Sequence, residues 1–295
     1  MPTRSRKKNR LPSVAAAAAA IVAIPVMVAV SACGSLGALA PGSASAPAAS
    51  TSPDANADMA ASAPTRQAGT CEDGTSSLAS YYAPRIQAML AQAATTWAAS
   101  PPADSGDGVA AQPGLHFVLR SVTTTSWSTD YPTVDYTIPP VDALAPQPSP
   151  TDPSFDTDVH TWTSGQSAWK QSAARATAAA ATLAQEIRLF PVARNTYSAI
   201  YSCLAAADNQ LGSPPGAETR LTVISDMQNN EPVVGLHLAG AAVLVVGICP
   251  NNVSAGCPQR FAVARQFLIN NGASSVQIAS ADAVTPQTFL SFWRS

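Results

Sequence analysis

The chain has 295 residues, with 16 basic and 18 acidic side chains and a formal net charge of -2. Its one run of positive charge is "RSRKKNR" at the start, so nothing farther on offers a surface for nucleic acid or anionic headgroups. Charged residues make up only 12% of the sequence and prolines number 25, a composition that points to a secreted protein and to no particular chemistry.

Residues 1–33 read as a targeting signal: the basic start is followed by the apolar "VAAAAAAIVAIPVMVAV" and then by small residues. The ending "VSAC", residues 30–33, resembles the lipobox of bacterial lipoprotein signals. That resemblance implies cleavage before Cys33 and a thioether-linked diacylglycerol on its sulfur. An uncleaved anchor is the alternative, because the apolar stretch is about long enough to cross a bilayer; Pro25 and the abrupt small residues speak against it. Both readings place the rest of the chain outside the cytoplasm and tether it to a membrane. Residues 34–70, almost all Ala, Ser, Pro, Thr and Gly, bury too little apolar surface to offset their ordering entropy and read as a disordered linker.

Residues 71–295 suffice for one sizeable domain. Beyond Cys33, four cysteines remain in an oxidising compartment, Cys71, Cys203, Cys249 and Cys257, and permit three pairings. The short polar loop "PNNVSAG" favours Cys249 with Cys257, which leaves Cys71 with Cys203 as a staple from the first helix to an internal one. Zinc requires clustered ligands, whereas His116, His160 and His237 are scattered.

Helical spacing predicts an amphipathic helix over 75–100, and "GLHFVLRSV", 114–122, reads as a buried strand. Residues 123–165 are rich in Thr, Ser, Pro and Asp and form either a hairpin excursion or a mobile insertion. Asp152, Asp156 and Asp158 lie close together there, but without the glycine turn and closing Glu of an EF-hand loop. An alanine-rich helix follows over 164–190, stopped by Pro191, and a second helix starts at Asn195 or Thr196. Leu221, Val223 and Ile224 form a short strand that ends at Asp226, and 241–249 is a near-continuous apolar strand of the kind covered on both faces. A helix over 257–273, the strand "SVQIA" and a terminal helix complete the alternation. The fold class is α/β: an open, mainly parallel three-layer sheet with helices on both faces.

The helix opening on Thr196 in "RNTYSAIYSCLAAAD", followed by "RLTVISDMQNN", resembles the von Willebrand factor A fold. The resemblance implies a Rossmann-like sheet and a divalent cation held partly by Thr196 and by Asp226 after the fourth strand. The family's first strand ends in Asp-x-Ser-x-Ser. With 114–122 taken as that strand, Arg120 falls near the aspartate's place and Thr124 and Ser126 supply only hydroxyls. A guanidinium reverses the charge a magnesium ion requires, so the expectation is no cofactor. In its place Arg120 would pair with Asp226 across neighbouring strand ends, reaching the Thr196 hydroxyl.

These features together predict a non-enzymatic, membrane-tethered module that binds or scaffolds another envelope protein. The alternative classes are an envelope hydrolase and a small-ligand-binding lipoprotein. No Gly-x-Ser-x-Gly elbow is present, and Ser225 has no histidine at a defensible spacing. His237, read as near the strand ends, is the one candidate base.

Overall fold

A computed structural model describes residues 65–74, 81–99, 108–124, 131–194, 197–212, 218–230, 235–238, 240–249 and 256–295. The signal, Cys33, most of the linker and Thr196 lie outside the described residues.

Six strands form one open sheet in the order β3-β2-β1-β4-β5-β6. They are β1 (Arg66–Asp73), β2 (Leu115–Val122), β3 (Thr133–Ile138), β4 (Thr219–Ser225), β5 (Ala242–Gly247) and β6 (Ser275–Ser280). Every neighbouring pair is parallel except β2 with β3. This is a doubly wound order, with its switch point between β1 and β4. One face carries α1 (Tyr82–Trp97), α2 (Phe155–Leu189) and α5 (Pro286–Arg294). The other carries α3 (Ile200–Leu211) and α4 (Cys257–Asn270). The sheet thus separates two apolar cores, one built around Trp97, Phe117, Phe289 and Trp293, the other around Val118, Leu204, Val245 and Leu268.

The sheet begins at Arg66, inside the stretch whose composition reads as linker, and this strand is central and almost wholly buried. "RQAGTCED" has no β-branched residue but Thr70, so strand propensity does not announce it. Its small residues are what its position demands. A Cβ on Gly69 would lie 2.9 Å from Leu221 Cδ2 and 3.3 Å from both Ala207 Cβ and Leu211 Cδ1, so glycine here lets α3 and the neighbouring strand close on β1.

The disulfides are Cys71–Cys203 and Cys249–Cys257. The first joins the central strand to α3; it does not start from a helix.

Residues 123–165 resolve into the hairpin excursion. β3 pairs antiparallel with β2, and two isolated bridges, Val109 with Leu144 and Gln112 with Val141, fasten the segment beyond β3. α2 then starts at Phe155, well before residue 164. Asp156 and Asp158 fall in its first turn, where negative charge complements the helix dipole. Ser154 Oγ donates to the carboxylates of Asp152 and Asp158. Only from Ser172 onward does α2 bury a regular stripe, Ala176, Ala180, Leu183, Ala184 and Ile187, so alanine forms a thin pad there against α1. No helix among the described residues is long and apolar enough to cross a membrane.

Candidate functional site

Ligand sites in open parallel sheets gather at the carboxyl ends of the strands, beside the switch point. Here that place is the end of β1 and β4, and each delivers an acid. Asp73 closes β1 with 3% of its surface exposed, and Asp226 follows β4 directly.

Asp73 is surrounded by hydroxyls. Ser198 Oγ lies 3.1 Å from each of its carboxylate oxygens, and Ser225 Oγ donates to Oδ2 at 2.7 Å. Ser225 Oγ in turn accepts the Met227 N–H at 3.0 Å. Ser198 sits in the short segment just before α3, which starts later than expected. That segment is fixed from both sides: Ala199 N donates to Thr123 O, and Asn230 N donates to Ser198 O. Asn230 Oδ1 accepts from Ser198 N, and Asn229 Oδ1 accepts from Ile200 N, the first residue of α3. Asn229 of "DMQNN" therefore caps α3 from a distance in sequence, and Asn230 holds the residue before its N-cap.

Asp226 holds its own loop as well. Its Oδ1 accepts from Gln228 N at 2.9 Å. Arg260 of α4 donates Nε to the Asp226 carbonyl at 3.2 Å and brings its guanidinium to 3.8 Å from Oδ2. The next residue, Met227, has φ 60, a left-handed backbone at a non-glycine position, and such strain persists only where the surroundings enforce it.

The expected Arg120–Asp226 pair is not formed at neighbouring strand ends, because β1 lies between β2 and β4. Arg120 donates to Gln210 Oε1 at 2.7 Å on the α3 face. Gln210 reaches Asp135 Oδ2, Asp135 Oδ1 meets His116 Nε2, and His116 Nδ1 meets Gln67 Oε1, a polar network across β1, β2, β3 and α3. His116 is thus a strand histidine with both nitrogens occupied. His237 is exposed but precedes β5, beside the C-terminal turn of α4 where Leu238 N donates to Asn271 O. It stands at the opposite end of the strands from Ser225, which removes the candidate base from the site.

β1 lies at the sheet's switch point and leads into "DGTSS": Asp73, then hydroxyl residues at 75 and 77 of the sequence, Thr75 and Ser77. Thr75 and Ser77 lie outside the described residues. The signal is present in the sequence, an acid followed by alternate hydroxyls immediately before an amphipathic helix, but the strand leading to it is so poor in branched residues that nothing marks the acid as a strand end.

Beside Asp73 on the same strand, Glu72 faces the other core. It is 1% exposed, Oε2 accepts from Gln87 Nε2 at 3.2 Å, and Oε1 has no hydrogen-bond partner among the described residues. Burial pushes its pKa from 4.5 up to about 8, with the Gln87 hydrogen bond opposing. Two adjacent acids therefore differ in surroundings: hydroxyl donors around Asp73, an apolar pocket around Glu72.

Among the described residues, two serine hydroxyls, Ser198 and Ser225, donate to the Asp73 carboxylate. Carboxylate and hydroxyl oxygens are the ligand type a hard divalent cation such as magnesium takes. Among the described residues no cluster of three or more His, Cys, Asp or Glu is present, so any cation here would depend on hydroxyls as well as carboxylates.

No family model and no curated protein matches the chain. Among solved structures it is similar to the human COPII-coat protein Sec24c, at 13% identity and a TM-score of 0.35, over 78% of this chain and 32% of that one. The chain thus spans about a third of that protein, and a likeness this loose bears on neither fold nor function.

Proposed function

We propose that the chain is a von Willebrand A-type protein-binding module, held outside the cytoplasm by a lipid on Cys33, whose contact surface is the loop edge around Asp73 and Asp226. The observation that carries this reading is Asp73: a buried acid at the end of the central strand, with a serine hydroxyl on each oxygen, opening the string Asp-x-Thr-x-Ser. Asp226 directly follows the adjacent strand. Magnesium is the cation that this donor set suits. Asp73, Ser198 and Asp226 would hold it, together with Thr75, Ser77 and Thr196 by their place in the sequence. When bound it supplies a Lewis-acidic point to which a partner's carboxylate attaches.

The chain's own residues prepare that edge. The serines orient the Asp73 carboxylate, Asn229 and Asn230 fix the segment that carries Ser198, and Arg260 positions the Asp226 loop. The test is capture from solubilised envelope on immobilised full-length protein, in magnesium and in EDTA. The expected result is a partner retained in magnesium, released by EDTA, and lost on Ser77→Ala, whose melting temperature in EDTA matches wild type. Retention indifferent to EDTA and to that substitution would place the binding surface elsewhere.

A further inference from the structure

The sheet ends in β6, which hydrogen-bonds to β5 on one side and has no strand paired to its other side among the described residues. Exposed edges in natural sheets are blunted by charge, by proline or by a covering element. "SVQIAS" contains neither charge nor proline. Val276 is buried under α4, whereas Ile278, two residues on along the same face, is 42% exposed. Alongside runs a groove of about 700 Å³ between α4 and the carboxyl ends of β5 and β6, lined by Phe261, Arg265, Ile269, Ile278 and Ser280. Gly247 forms its floor: a Cβ there would meet the Phe261 ring at 2.6 Å, so glycine lets the ring lie flat against the strand. Ile269 is 42% exposed at its rim. α4 contributes Arg260 and Arg265 and no acid. Arg260 is turned to Asp226, while Arg265 has no ion-pair partner among the described residues.

We infer that β6 and the α4 groove bind an extended acidic segment of a partner protein, which pairs with β6 as a seventh strand. Two independent features select that occupant. The open backbone of an uncharged edge strand supplies the hydrogen-bonding ladder, and the adjoining groove takes alternate apolar side chains, as the period of a strand requires. Arg265 supplies the charge that selects a carboxylate on the segment.

The experiment uses the full chain and a fluorescein-labelled eight-residue peptide of alternating Val and Thr that ends in two Asp. Three further probes are the same peptide N-methylated at alternate residues, the peptide ending in two Lys, and the Arg265→Glu variant, an exposed substitution that leaves the core untouched. Saturable anisotropy is expected with the acidic peptide, weakened tenfold or more by N-methylation and by Arg265→Glu. The Lys peptide should gain on Arg265→Glu. Amide shifts in the labelled protein should be confined to β6 and α4. No saturation up to millimolar peptide, binding indifferent to N-methylation, or shifts at the Asp73 edge would overturn the proposal. So would self-association of the chain through β6, seen by sedimentation, because a second copy would then be the occupant.

Discussion

Asp73 and Glu72 are consecutive, both buried, and perform opposite tasks because a strand turns successive side chains to opposite faces. Glu72 titrates from 4.5 unfolded to about 8 folded, so between those values the native state holds a proton that the unfolded chain has released. Its contribution to stability is therefore full below about pH 4.5 and is lost as pH rises toward 8. Glu72→Gln keeps a carbonyl oxygen for Gln87 Nε2 and removes the titration. Relative to wild type, the variant should show a flatter denaturation midpoint from pH 5 to pH 8 and greater stability at pH 8, measured by urea titration. Parallel pH profiles would mean that Glu72 is already ionised in the fold. Asp226, which stands out in the sequence, is tied to Gln228 and Arg260. The acid that ends the neighbouring strand across the switch point is Asp73, with Arg120 engaged elsewhere. Arg120 gains a role at the site only if β2 is taken as the first strand, one strand too far along the chain.

Among the elements, β1 is the least legible and matters most. β2, β4 and β5 declare themselves by branched apolar runs, and the helices by period, with a side-chain N-cap only at Thr285 of α5, but β1 is a strand because it is enclosed. Gly69 carries that enclosure. Gly69→Ala should cost about 1–3 kcal/mol through overpacking against Leu221, Ala207 and Leu211; a neutral result in chemical denaturation would mean that α3 yields easily. The disulfide from Cys71 to Cys203 closes a separation of 132 residues, and removing both cysteines should cost about 3–5 kcal/mol through the freed unfolded chain. The loop "DMQNN" reads from sequence as a polar turn. That its asparagines cap α3 and anchor Ser198 is tertiary information, invisible without the fold. Asn229→Ala should cost about 1 kcal/mol through the lost bond to Ile200 N.

In the whole molecule, the alternation of strands and helices from β4 onward is readable in the sequence, and so is an open sheet with helices on both faces. The register that brings Asp73 level with Ser225 is not, since it depends on which strands become neighbours. The proposed lipidation belongs at this scale too: if Cys33 carries the lipid, Cys33→Ser should move the chain from the membrane fraction to the soluble fraction and remove a diacylglycerol mass. The proposed binding function depends on whether the Asp73 edge takes up a hard cation. The measurement is the melting temperature of the full chain in EDTA and in 10 mM magnesium chloride, for wild type and for Thr75→Val and Ser77→Ala. With an affinity of about 0.1 mM, magnesium adds about 2.7 kcal/mol, a rise of several degrees in wild type. That rise is expected in wild type and its loss in both variants, with their melting in EDTA unchanged. A wild-type melting temperature indifferent to magnesium would contradict the proposed cation site.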